Sequence, residues 1–134
     1  MPKLYSCKIT ITQDNLPLED AFVSLVPQDQ NNSKWHPSGK TDSSGIAQIM
    51  TYGFSGVPVG NFKITVKKTV MEDPIYSTNS NGEKEIVDYK SVYSVIEKKY
   101  ANPETTPFTV EISGVVTFDF DVGKAIKLKL KKNK

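Results

Sequence analysis

Apolar and polar residues alternate with a period of two along most of this chain. In "CKITIT" Ile9 and Ile11 alternate with Lys8, Thr10 and Thr12, and in "NFKITVKK" Phe62, Ile64 and Val66 alternate with Lys63, Thr65 and Lys67. "PFTVEIS" places Phe108, Val110 and Ile112 on one face, and "VTFDFDV" does the same with Val116, Phe118, Phe120 and Val122. "AIKLKLKK" repeats the pattern with Ile126, Leu128 and Leu130 against Lys127, Lys129 and Lys131. This alternation predicts strands with one face on a core and the other in water, and the β-branched and aromatic content suits it. "DAFVSLVP", with Ala21, Val23 and Leu25 on one face, and "GIAQIMT", with Ile46, Ala47 and Ile49 as its apolar members, predict two more strands. Short strands bounded by turns, with no helices between them, predict an all-β chain: an antiparallel Greek-key β-sandwich of seven or eight strands.

The segments between the strands carry turn chemistry. "QDNLPLED" has Asp14, Asn15 and Pro17, "QDQNNSKWHPSGK" is a long polar loop, and "YGFSGVPVGN" holds three glycines and a proline. The rhythm breaks over residues 70–107, which predicts an irregular insertion. Within it, residues 71–90 ("MEDPIYSTNSNGEKEIVDYK") are mostly polar and predict a flexible loop with "NSNGE" at its tip. "KSVYSVIEKKY" fits one or two helical turns, with Val92, Val95, Ile96 and Lys99 at helical spacing, or equally a short strand. Pro103 and Pro107 in "ANPETTP" forbid regular pairing there. Residues 124–134 predict a lysine-rich terminal strand and tail.

A length of 134 residues suits one domain, 1–134, with a real core. A net charge of +2 argues against a nucleic-acid partner. The charge is uneven, because "GKAIKLKLKKNK" holds six lysines and no acid. Lysines on an edge strand block edge-to-edge pairing; an acidic partner is the alternative for Lys127, Lys129 and Lys131. Cys7 is the one cysteine, so it makes neither an internal disulfide nor a thiolate metal site alone. No apolar run is long enough to span a membrane, and no apolar segment precedes "LYSC", so no signal peptide is expected in the chain.

Candidate chemistry is sparse. "GKTDSSGIAQI" sets Asp42 beside Ser43 and Ser44 and closes on Gly45. A calcium loop needs more carboxylates at alternating positions. A nucleophilic serine needs a base and an oxyanion hole. A hairpin turn explains the string: an aspartate accepts from amides two residues on, and a glycine takes positive φ. His36, the only histidine, lies in a loop before Pro37. No catalytic residues, metal ligands or cofactor are therefore expected, and a small hydrolase is the least favoured reading. Exposed aromatics in end loops stack on sugar rings or peptide side chains, so Trp35, Tyr52, Phe54 and Tyr76 are the candidate ligand-binding residues.

"PLEDAFVSLVP", "GKTDSSGIAQI" and "GVPVGNFKITVKK", in that order, resemble the pattern of carboxypeptidase regulatory-like domains. These are transthyretin-like (prealbumin-like) sandwiches. "KKYANPETTPFTVEI" followed by "VTFDF" is similar to a subset of secreted bacterial proteins of this class. The resemblance covers roughly residues 8–122. It implies a non-catalytic binding or structural module of a bacterial surface or secreted protein, extracellular or on the cell surface. Its partner would be a carbohydrate or another surface protein, met as a monomer or weak oligomer. A structural subunit that assembles by strand-edge pairing is the alternative. Collagen-adhesin B-type domains share part of the pattern and sometimes form a Lys–Asn isopeptide between first and last strands. Lys8 is the candidate lysine, but the last strands hold no asparagine before Asn133.

Overall fold

The computed structural model describes residues 2–28 and 34–130. The first half of the chain forms β1 (Leu4–Tyr5), β2 (Cys7–Gln13), β3 (Leu16–Pro17), β4 (Phe22–Pro27), β5 (Ser38–Lys40), β6 (Ile46–Gln48), β7 (Met50–Thr51), β8 (Phe54–Ser55) and β9 (Val57–Pro58). The second half forms β10 (Gly60–Lys67), β11 (Thr69–Thr78), β12 (Lys84–Ser94), a single helical turn α1 (Lys98–Ala101), β13 (Thr109–Ile112), β14 (Val116–Asp121) and β15 (Leu128–Leu130). The chain is all-β, as its alternation predicts.

Two sheets enclose the core. In one, β2 is central, flanked by β14 on one side and by β3 and β6 on the other. The other runs in the order β13-β10-β4-β5-β7-β8. The pairings are antiparallel except β14 with β2, which run parallel from Val116↔Cys7 to Asp121↔Thr12. The three residues 113–115 carry the chain from β13 in one sheet to β14 in the other. That crossing lays β14 beside β2 in the same direction.

The alternation read from the sequence is the burial pattern. Ile9, Ile11, Ala21, Val23, Leu25, Ala47, Ile49, Ile64, Val66 and Ile112 are fully buried, and Phe62 nearly so. Each such Val, Leu, Ile or Phe side chain contributes about 1.5–3 kcal/mol. Aromatic rings close one end of the core: Tyr100 stacks on Phe108 at 5.2 Å between centroids, and Phe108 on Phe120 at 4.5 Å. β2 turns Cys7, Ile9 and Ile11 inward and leaves Lys8 exposed. Lys8 is therefore on the wrong face for a core isopeptide, and Asn133 lies outside the described residues.

Residues 70–107 depart from the expected irregular insertion. β11 and β12 form a regular antiparallel hairpin, from Thr69↔Ser94 to Thr78↔Lys84, where a flexible loop over 71–90 was expected. The ribbon closes on an Asn79 turn: Asn79 Oδ1 accepts from the amides of Asn81 (2.9 Å) and Glu83 (3.0 Å). Pro74 sits inside β11 without breaking the sheet because β11 is an edge strand. Asp73 adopts φ 58°, and the register shifts between Ile75 and Tyr76. For "KSVYSVIEKKY" both readings hold, each for one half: strand up to Ser94, then the helical turn α1. The terminal strand also differs. Leu128 and Leu130 do not join the core; β15 pairs with β12 at the base of the ribbon, and both leucines stay exposed. Lys131 lies outside the described residues.

Candidate functional site

The "TDSSG" string is a hairpin corner. Asp42 Oδ1 accepts from the amides of Ser44 (2.8 Å) and Ile46 (3.0 Å), and Gly45 N–H donates to Asp42 O (2.9 Å). Gly45 has φ +79°, and a Cβ there would lie 2.6 Å from Ile11 O. Its own carbonyl accepts from Ile11 N–H at 2.8 Å. The geometry accounts for both residues. His36 is exposed. Among the described residues, no three His, Cys, Asp or Glu side chains converge as a metal site would require.

Three of the four candidate aromatics share one end of the sandwich. β7 and β8 are joined by Tyr52 and Gly53, both at positive φ (48° and 84°), the geometry of a two-residue turn. That turn leaves Tyr52 and Phe54 exposed. Trp35 packs against Tyr52 with ring centroids 5.5 Å apart at 56°, and the Tyr52 hydroxyl donates to Lys34 O. Tyr76 is not part of this group: it lies on β11 opposite Ile86. The aromatic end lies where β10 begins, since Phe62 pairs with Pro27 just before the Trp35 loop. The ribbon leaves from the far end of β10, eight residues on, or about 26 Å at ~3.3 Å per residue.

The ribbon end holds a second surface, which period-two reading did not reveal. Thr69, Ser94 and Leu128 sit side by side across β11, β12 and β15 and floor a groove of about 420 Å³. Lys98 and Ala101 of α1 form one wall, with Lys67, Lys68 and Leu130 around the rest, while the register puts the Lys129 side chain on the opposite face with Lys127. No acidic side chain lines it. Alternation puts Met71, Val92 and Leu130 on the same side as Leu128, extending the apolar floor along the ribbon. Further out, Ile75, Tyr76, Ile86 and Val87 are exposed apolar side chains on a two-stranded element. The outer ribbon has the opposite charge to the groove. Over residues 73–88 it carries Asp73, Glu83, Glu85 and Asp88 against Lys84 alone.

Lys127 clasps the other side of the ribbon. Its Nζ donates to Glu72 Oε1 at 2.8 Å and lies 4.5 Å from the Tyr93 ring centroid. The Glu72 hydrogen bond raises its pKa. Cys7 is the opposite case: burial pushes its thiol up to about 11, so it carries no reactive thiolate at neutral pH.

No helix among the described residues is long and apolar enough to cross a membrane. No family model matches the chain, and no curated protein matches it. Among solved structures, the chain is similar to the major pilin subunit of Bacillus cereus, with a TM-score of 0.45 and 17% sequence identity over 90% of this chain. The chain spans 30% of that pilin chain.

Proposed function

We propose that this chain is a non-catalytic module of a bacterial surface or secreted protein, and that it works by presenting its ribbon end to a protein partner. The observation that carries this reading is the exposed apolar surface of the ribbon and its lysine-ringed groove. The sandwich core makes no use of those side chains. Exposed apolar side chains gathered on one projecting element mark an interaction surface. The surface or secreted setting is supported by the resemblance of "PLEDAFVSLVP", "GKTDSSGIAQI" and "GVPVGNFKITVKK" to carboxypeptidase regulatory-like domains.

A protein partner is favoured over a carbohydrate. A sugar ring needs a free, flat aromatic platform, whereas Trp35 and Tyr52 are tilted against each other and the Tyr52 hydroxyl is engaged. Assembly by strand-edge pairing is disfavoured on the β11 edge. Pro74 offers no amide there, and the kink at Asp73 and the register shift spoil a straight edge.

A photoreactive residue placed at Ile86, and separately at Phe54, tests the reading in the native host. A protein adduct at position 86 and none at position 54 is the expected result; adducts at 54 alone would overturn it. The non-catalytic part is tested by turnover on esters, glycosides and peptides. Hydrolysis that His36→Ala abolishes would refute it.

A further inference from the structure

The ribbon and the groove are complementary to each other. The groove is apolar and fringed by Lys67, Lys68 and Lys98. In the outer ribbon the pairing register puts Ile75, Asp88 and Glu85 on the face that continues the groove floor, and Tyr76, Ile86 and Lys84 on the other; over residues 73–88 four carboxylates stand against one lysine. The two cannot meet within one molecule, because the groove lies at the ribbon's own base and the ribbon points away from it. They can meet between two copies. A β11 of ten residues spans about 33 Å at ~3.3 Å per residue. Two ribbons laid antiparallel about a two-fold axis therefore bring each acidic outer half over the other's lysine-fringed base. Such a contact is reciprocal and closed.

We infer that this chain self-associates as a two-fold dimer in which the acidic apolar ribbon of each copy docks by its face in the lysine-fringed groove of the other. This rests on the reading of the ribbon end as the working surface and names its partner. Two physical arguments favour a second copy. First, a two-stranded ribbon without a third strand is marginal in water, and β15 supports only Val92–Ser94; docking gives the outer half a surface to pack on. Second, matching charge steers and registers an interface, and both matching halves are present on one chain. A paired strip ~33 Å long and ~15 Å wide buries roughly 500 Å² per partner. That is below the ~800 Å² of a standard stable interface, so the dimer is weak and salt-sensitive, with a dissociation constant on the order of tens of micromolar in low salt.

Sedimentation velocity with charge-reversed variants tests this. The wild-type chain should shift from monomer to dimer between about 5 and 300 µM in low salt, and dissociate at about 0.5 M salt, where the Debye length falls to a few ångströms. The groove variant Lys67→Glu/Lys98→Glu and the ribbon variant Glu83→Lys/Glu85→Lys should each bind themselves at least tenfold more weakly. An equimolar mixture of the two should dimerise, because both of its groove–ribbon contacts are charge-matched again. All four side chains are exposed, and the far-UV circular dichroism spectrum of each variant should match that of the wild type. A wild-type monomer at 300 µM in low salt would overturn the inference, as would a dimer indifferent to both reversals or a mixture that stays monomeric. A monomer whose Ile86 photoadduct is a different protein would also overturn it, while leaving the recognition role of the ribbon standing.

Discussion

Gly45 and Gly82 have almost the same backbone conformation, φ +79° and +80°, in different surroundings. Alanine at either position occupies the left-handed region at a cost of about 1 kcal/mol. At Gly82, at the ribbon tip, a Cβ meets nothing within 4 Å, so that cost is all. At Gly45 the Cβ falls 2.6 Å from Ile11 O. The corner must move by nearly an ångström to restore an ordinary contact. Two backbone hydrogen bonds hold it in place: Ile11 N–H to Gly45 O at 2.8 Å and Leu18 N–H to Ile11 O at 3.0 Å. Weakening both costs about 1 kcal/mol each, so Gly45→Ala should lose about 3 kcal/mol and Gly82→Ala about 1. Urea denaturation followed by far-UV circular dichroism measures the difference, with the melting temperature as a second readout at about 4 °C per kcal/mol. Losses equal within about 0.5 kcal/mol would refute the claim that this turn is sterically determined and would reopen "TDSSG" as a site.

Other consequences concern titratable groups. The Cys7 thiol is raised from 9.0 to about 11 by burial. Its contribution is therefore present below about pH 9 and is lost as pH rises towards 11. The urea midpoint should fall over that window in the wild type and fall less in Cys7→Val; parallel curves would contradict this. Asp121 accepts from the Thr12 hydroxyl (2.7 Å) and from the amides of Asn15 (2.9 Å) and Gly123 (2.7 Å). These bonds, the Thr12 one foremost, lower its pKa. Its stabilisation is thus present above the ordinary carboxylate pKa and lost as pH falls below it. Asp121→Ala should cost about 2 kcal/mol at pH 7 and less as pH falls below the ordinary carboxylate range; a loss independent of pH would argue against it.

The legible parts of this chain were those with a buried face. Ala21, Val23 and Leu25 on β4, and Phe62, Ile64 and Val66 on β10, alternate because one side of each strand must avoid water. The β11–β12 ribbon has no such constraint. Its strands face solvent on both sides over the outer half, so no period marked them, and their mostly polar sequence read as a loop. Leu128 and Leu130 mislead for the converse reason: they alternate as core residues do, but β15 lies against the ribbon base. The groove was invisible to local reading because its walls come from Lys67–Thr69, Ser94, α1 and β15, which only the topology brings together. Trp35 and Tyr52 meet across 17 positions, a contact that neither residue's own segment signals. Tyr76 belongs to a different end of the molecule.

The central claim is that the ribbon is the surface by which molecules meet and the sandwich its rigid support. Glu72 and Ser91 face each other across the ribbon, so replacing residues 73–90 with Asn-Gly closes a two-residue hairpin there. Sedimentation velocity of this shortened chain, alongside its melting curve, is the most direct measurement. The account predicts a molecule that melts within a few degrees of the wild type and stays monomeric at about 300 µM in low salt. A shortened chain that still associates as the wild type does would contradict it.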